Sequence, residues 1–247
     1  AIDTAQSPGC FALTELQHGV ISGMHMDTTA TWDAAAKGFV LHSPSPGAQK
    51  FWISLAARHA REAIVFATLF TPATPEDGDG ADGLVERGVH AFVVRIRTRA
   101  GAAVPRVSVK DMGHKPAING NDNGRIAFDR CPVPREALLN RYSDVDADGA
   151  FSSRIATPRR RFLAVSDQLM SGRMCIASAA NSLCKLSLTC ALRFAAARAQ
   201  AVAASRAGSS RGPPPQAPGG QCLLNYISHR MALVPYLARV YACGCAL

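Results

Sequence analysis

Nowhere in this sequence do eighteen or so uncharged apolar residues follow one another, so a membrane span is not expected. Aromatic residues are scarce, at 6%, although hydrophobic residues reach 48%, and any core must be built mainly from aliphatic and alanine side chains. There is no Walker loop, no Gly-x-Gly-x-x-Gly, no His-Glu-x-x-His and no nucleophile elbow, which removes the common nucleotide, zinc-protease and serine-hydrolase signatures. The eight cysteines form no Cys-x-x-Cys pair and no zinc-type spacing with histidine. They are read as free thiols in a reducing compartment, and no metal ligands are expected. The first ten residues lack an initiating Met and the charged start of a signal peptide. The last ones stop inside an apolar helical pattern, so the chain is expected to be an internal piece of a longer protein.

What is present is a basic balance of +9 over 247 residues, supplied mostly by arginine. Such a charge suits an anionic partner, whether nucleic acid, membrane surface or phosphorylated cofactor. The densest run, Arg159-Arg160-Arg161, has no interleaved aromatics to stack bases, and nucleic-acid binding is not expected.

The composition changes near residue 155. Before it, Ala63–Phe70 and His90–Arg97 read as strands, with shorter ones at Phe39–Leu41, Arg106–Val109 and Arg125–Phe128. Their spacing suits an antiparallel barrel or sandwich. The Pro-, Asp- and Gly-rich stretch from Thr71 to Glu86 is expected to be an exposed loop. After residue 160, Phe162, Val165, Leu169, Ile176, Leu183, Leu186 and Cys190 recur at helical steps, as one buried helix face requires. One extended helix or two would satisfy that pattern. Ala207–Gly220, rich in Pro, Gly and Ser, is expected to be a disordered insertion or loop. A second helical segment runs from Leu223 and is interrupted by Pro235. The expected class is α+β, with a β domain over residues 1–155 and the first helices of an α domain over 156–247.

Taken singly, Glu15, Asp27, Glu62, Asp111, Asp122, Asp129, Asp144 and the seven histidines are ordinary turn, cap or surface residues. Several segments weigh more together. Cys10-Phe-Ala-Leu-Thr-Glu-Leu-Gln-His-Gly19 with Thr28-Thr-Ala-Thr31, Lys50-Phe-Trp-Ile-Ser54 and Gly88-Val-His-Ala-Phe-Val-Val-Arg-Ile-Arg97 come first. Asp111-Met-Gly-His-Lys115, Asn119–Gly124 and Val133–Asn140 follow, then Gly172-Arg173, Ala191-Leu-Arg193, Arg198-Ala-Gln200 and Tyr226–Tyr241 around Pro235. In this order and spacing the set resembles the middle β domain and first C-terminal helices of the acyl-CoA oxidase family, within the acyl-CoA dehydrogenase/oxidase superfamily.

That resemblance implies FAD as cofactor, an acyl-CoA substrate, molecular oxygen as electron acceptor, a homodimer and residence in the peroxisome. It also implies oxidation of acyl-CoA to trans-2-enoyl-CoA with release of hydrogen peroxide, the first step of fatty-acid β-oxidation. By the same match Thr14 would hydrogen-bond the isoalloxazine edge, Trp52 would lie against the rings, and Arg198 would meet the FAD phosphates. Ser54 stands where the oxidases generally carry Gly and the dehydrogenases carry Thr or Ser, so its hydroxyl is expected to slow reoxidation by oxygen. No carboxylate matches the family's catalytic glutamate, which lies downstream of Leu247. No catalytic residue is therefore named, and the 247 residues alone are not expected to turn over substrate. The sequence departs from the family at Gly19-Val20-Ile21, with one extra residue before Thr28, and again after Gln200. The alternatives are a non-catalytic remnant of the family or a dehydrogenase-like flavoprotein.

Overall fold

A computed structural model describes residues 6–19, 25–74, 77, 83–166, 168–200 and 221–246. The expected loop at 207–220 lies outside the described residues, as do Val20 and Ile21. The chain divides into two units, residues 1–166 and 167–247, a division that falls later than the composition change near residue 155.

The first unit carries β1 (Gly9–Ala12), β2 (Thr29–Asp33), β3 (Gly38–His42), β4 (Lys50–Ser54), β5 (Glu62–Pro72) and β6 (Leu84–Arg95). It continues through β7 (Val107–Asp111), β8 (Asn123–Phe128), β9 (Cys131–Pro134), β10 (Ser143–Val145) and β11 (Phe151–Ser153). Strands β5 and β6 form the long hairpin at its centre, in register from Glu62↔Arg95 to Pro72↔Leu84. The expected loop between them is therefore shorter than the polar composition suggests, because Thr71 and Pro72 still pair with Val85 and Leu84.

On its other edge β5 takes β1 beside its first half and β2 beside its second, both parallel. The sequence reading expected antiparallel pairing throughout. Parallel neighbours need a crossover, and here the chain leaves β2 through β3 and β4 before it enters β5. The sheet continues antiparallel from β2 to β3 and on to β9. A second, three-stranded antiparallel sheet runs β4–β8–β7.

Side chains from both sheets fill one core. Phe39, Val65, Leu69 and Phe92 come from the large sheet, and Ile53, Ile126 and Phe128 from the small one. Few aromatics are needed, because Ala12, Ala30, Ala56, Ala60, Ala63 and Ala67 let the layers approach. Trp32, Phe39 and Phe92 form an edge-on chain with centroids 5.3 and 5.2 Å apart. Each fully buried large side chain contributes about 1.5–3 kcal/mol.

Helix α1 (Pro158–Val165) belongs to this first unit. Thr157 caps it, its hydroxyl accepting from the Arg160 N–H, and Pro158 occupies its first turn. It docks on the β5–β6 hairpin, where Phe162 meets Phe66 of β5 edge-on and the Arg161 guanidinium donates to the Arg87 carbonyl of β6 at 2.9 Å. Gly88 makes the approach possible: its φ is +81°, and a Cβ there would stand 2.8 Å from Pro158 Cβ.

The second unit is a helical hairpin of α2 (Gln168–Ala197) and α3 (Ile227–Ala246). A short ladder of β12 (Ala199–Gln200) and β13 (Gln221–Cys222) closes its base. Gly244 lies beside Asn181 and Lys185, so α3 folds back along α2. Pro235 sits inside α3 without ending it. The apolar stripe expected to be buried divides: Phe162 on α1 is buried, whereas Ile176, Leu183 and Leu186 on α2 are 71%, 65% and 60% exposed. A helical stripe is buried only where another element covers it, and no described residue does so here. Ser171–Ala197 is long and apolar enough to cross a membrane by those two criteria alone. It carries Arg173, Lys185 and Arg193, which fits a bundle helix with a polar side better than a span.

Candidate functional site

The site is built on the start of β4. Phe51 N–H donates to the Thr14 carbonyl at 2.9 Å, the Thr14 hydroxyl donates back to the Phe51 carbonyl at 2.6 Å, and Glu15 bridges Lys50. The Thr14–Glu15 segment is thus zipped to Lys50–Phe51, and Thr14 is brought beside the strand that carries Trp52.

Beneath this seam lies a fully buried ion pair. Lys50 Nζ donates to Glu15 Oε1 at 2.8 Å and to the Leu13 carbonyl at 3.3 Å, with both side chains at zero exposure. The Glu15 carboxylate also accepts from the backbone N–H groups of Asp27 and Thr28, at 2.8 and 3.0 Å. Burial pushes Lys50 down to about 8, against the opposing pull of the Glu15 carboxylate. Desolvation therefore outweighs the attraction of the pair. Glu15 was legible only as one acid among several, because its partner lies 35 residues away in the sequence.

Trp52 is the strained element of the site. Its φ is +60°, a conformation rare for any residue with a Cβ and an outlier for a bulky one. The register between β4 and β8 slips there, jumping from Lys50↔Ile126 to Ile53↔Gly124. A bulge of this kind re-aims a side chain, and the indole is left 49% exposed. Strain of about 1–3 kcal/mol persists only where the surroundings impose it, and it clusters at ligand clamps. The loop after Trp52 is pressed onto β8, where a Cβ at Gly124 would lie 2.7 Å from Ala57 N.

Ser54 is exposed, and its hydroxyl accepts from Asn123 Nδ2 at 3.5 Å. The other amide atom, Asn123 Oδ1, is buried with no partner, as is Asp122 Oδ1. Asp122 holds His59 at 2.6 Å, and its carboxyl is lowered from the ordinary value although its partial burial pushes the other way. A half-exposed aromatic face and an exposed hydroxyl are a suitable stacking and hydrogen-bonding pair for a planar heterocycle.

Thr14, Trp52 and Ser54 are gathered in the first unit. Arg198 belongs to the second, at the end of α2, where its N–H donates to the Phe194 carbonyl and its side chain is exposed. Of the remaining acids, Glu62 pairs with Arg95, Asp111 with Arg58 and Asp144 with Arg135, all partly exposed ion pairs of the kind worth little.

The described elements define an α+β protein, a β unit and a helical hairpin. The helical part, residues 167–247, matches the family model described as the acyl-CoA oxidase C-alpha1 domain. Peroxisomal acyl-coenzyme A oxidase 3 of Arabidopsis thaliana is 41% identical over 95% of this chain and 31% of its own length. Among solved structures, acyl-CoA oxidase 1 of Yarrowia lipolytica superposes with a TM-score of 0.78 at 29% identity, covering 98% of this chain and 31% of that one. Acyl-CoA oxidase-2 of Caenorhabditis elegans, bound with FAD, ascaroside-CoA and ATP, gives 0.75 at 28% identity over 96% of this chain and 32% of that one. The chain belongs to the acyl-CoA oxidase family and spans about a third of the length of these relatives.

Proposed function

We propose that the chain is a portion of an FAD-dependent acyl-CoA oxidase. The whole enzyme would convert acyl-CoA to trans-2-enoyl-CoA and reduce molecular oxygen to hydrogen peroxide. The observation that carries this reading is the strained, outward-facing Trp52 beside Thr14, in a chain with 41% identity to a plant oxidase. FAD would supply the two-electron redox chemistry. Trp52 would give it a flat apolar wall. The Thr14 hydroxyl has spent its hydrogen on the Phe51 carbonyl and so remains an acceptor toward a ring N–H. Arg198 would offer a bidentate guanidinium to the phosphates, and the α-proton base is left unassigned. Peroxisomal residence and a homodimer are the expectations that go with the family.

The test is an absorbance spectrum of the purified chain after FAD is added and the excess removed. A retained flavin band, shifted from that of free FAD, is the expected result, and a colourless protein would overturn the pocket assignment. Trp52→Gly should weaken flavin retention about tenfold, the equivalent of about 1.4 kcal/mol of lost stacking. Glycine also accepts φ +60°, so the same variant should unfold at the same denaturant concentration or a higher one. Equal flavin retention by the two proteins would remove Trp52 from the wall. Ser54→Gly should speed the oxygen reaction of the loaded, dithionite-reduced protein in stopped flow. An unchanged rate would leave Ser54 without a gating role.

A further inference from the structure

Three side chains that the flavin reading does not use converge beside the Thr14–His18 turn. Nε2 of His18 lies 3.1 Å from Asp27 Oδ2, and Nε2 of His25 lies 3.4 Å from Asp27 Oδ1. Each residue offers one ligand atom, and the three lie within 4.8 Å of one another. The two imidazoles stand edge-on, with centroids 5.4 Å apart. An ion with bonds of about 2.0–2.1 Å and tetrahedral geometry holds its ligand atoms about 3.3 Å apart. The two nitrogen–oxygen separations, one to each oxygen of the Asp27 carboxylate, lie near that value, and the three ligand atoms need only draw together slightly.

We infer that His18, His25 and Asp27 form a binding site for one divalent first-row transition ion of the zinc class. Imidazole nitrogen selects zinc, cobalt, nickel or copper over magnesium and calcium, which prefer an all-oxygen set. Three protein ligands leave at least one position for water. Two of the three are held in advance by Glu15. Its N–H donates to the His18 carbonyl at 2.9 Å, its carbonyl accepts from the His18 N–H at 3.3 Å, and its carboxylate accepts from the Asp27 N–H at 2.8 Å. Because that carboxylate is locked to Lys50 inside the core, little freedom remains to be lost when an ion arrives. His25, at 64% exposure, closes over from the solvent side. The 18, 25, 27 spacing matches no familiar zinc pattern, because the convergence is made by the Glu15 tether.

The competing arrangement is a metal-free cluster in which both imidazoles pair with one carboxylate. To separate the two, the exposed thiols of the 247-residue chain are first blocked with N-ethylmaleimide, since Cys175, Cys243 and Cys245 would otherwise bind the probe. Zn2+ is then titrated by calorimetry, and Co2+ by its visible absorption. One ion per chain is expected, with Co2+ bands of a nitrogen- and oxygen-ligated site. Asp27→Asn and His25→Ala should each weaken Zn2+ binding at least tenfold, since even loss of an outer-sphere partner costs about 10–100-fold. Both positions are solvent-accessible, and a thermal melt without metal checks that each variant still folds. A blocked wild-type chain that holds no ion, or variants that bind as well as wild type, would overturn the site.

Discussion

Lys50→Met is expected to destabilise the β unit by about 3–5 kcal/mol, the usual cost of removing one partner from a buried ion pair. Methionine fills the same volume, so the loss comes from Glu15, whose carboxylate would stay at zero exposure without its countercharge. The Glu15 carboxylate would keep only the Asp27 and Thr28 N–H groups. Urea unfolding measures the loss as a lower midpoint. The double variant Lys50→Met with Glu15→Gln should recover part of it, because the amide brings no charge, although its single oxygen keeps only one of the two N–H groups, which donate to different oxygens of the carboxylate. Recovery follows from the downward shift of Lys50: burial costs the ammonium more than Glu15 returns. The pair therefore orders the Thr14 and Asp27 segments more than it adds net stability. A single-variant loss below about 1 kcal/mol would place the pair in the solvated class instead.

The second large effect is an acid sensitivity centred on His90. Its Nδ1 lies 3.0 Å from the Gly88 carbonyl, to which it donates, and its Nε2 is buried without a partner. The ring stands edge-on to Phe151 at 5.5 Å. Burial, with a lesser push from the Arg161 guanidinium, lowers the imidazole from 6.5 to about 4. Between those values the unfolded chain binds a proton that the folded one refuses. Stability is accordingly complete above pH 6.5 and falls as the pH drops toward 4. The window corresponds to about 3 kcal/mol at its full extent. His90→Asn places an amide N–H where Nδ1 faces the Gly88 carbonyl and cannot ionise, so its urea midpoint should fall much less between pH 7 and pH 4.5. Parallel pH profiles for the two proteins would show that His90 is hydrated in the fold.

Much of the architecture was legible along the chain. The apolar runs at Ala63–Phe70 and His90–Arg97 mark the central hairpin: the stretch 65–69 is buried on both faces and reads as a continuous hydrophobic run, while β6 alternates from Val93 onward. The ordered segments from Cys10 to Tyr241 indicated the family. Parallel pairing of β1 and β2 with β5 was not visible, because strand direction depends on the crossover and not on composition. Nor was the fate of the α2 stripe: periodicity at Ile176, Leu183 and Leu186 states which face is apolar and says nothing of what covers it.

The site divides in the same way. Residue types and their order alone indicated the family and, by resemblance, pointed to Thr14, Trp52 and Ser54 as candidates for a flavin wall. Only the tertiary structure decided that Trp52 sits at φ +60° on a bulge, that Lys50 is locked to Glu15, and that His18, His25 and Asp27 converge. The physical reason is one of range. Propensity and periodicity act over a few neighbouring residues, whereas a bulge, a buried ion pair and a ligand cluster are set by strand register and by contacts between segments far apart in the chain.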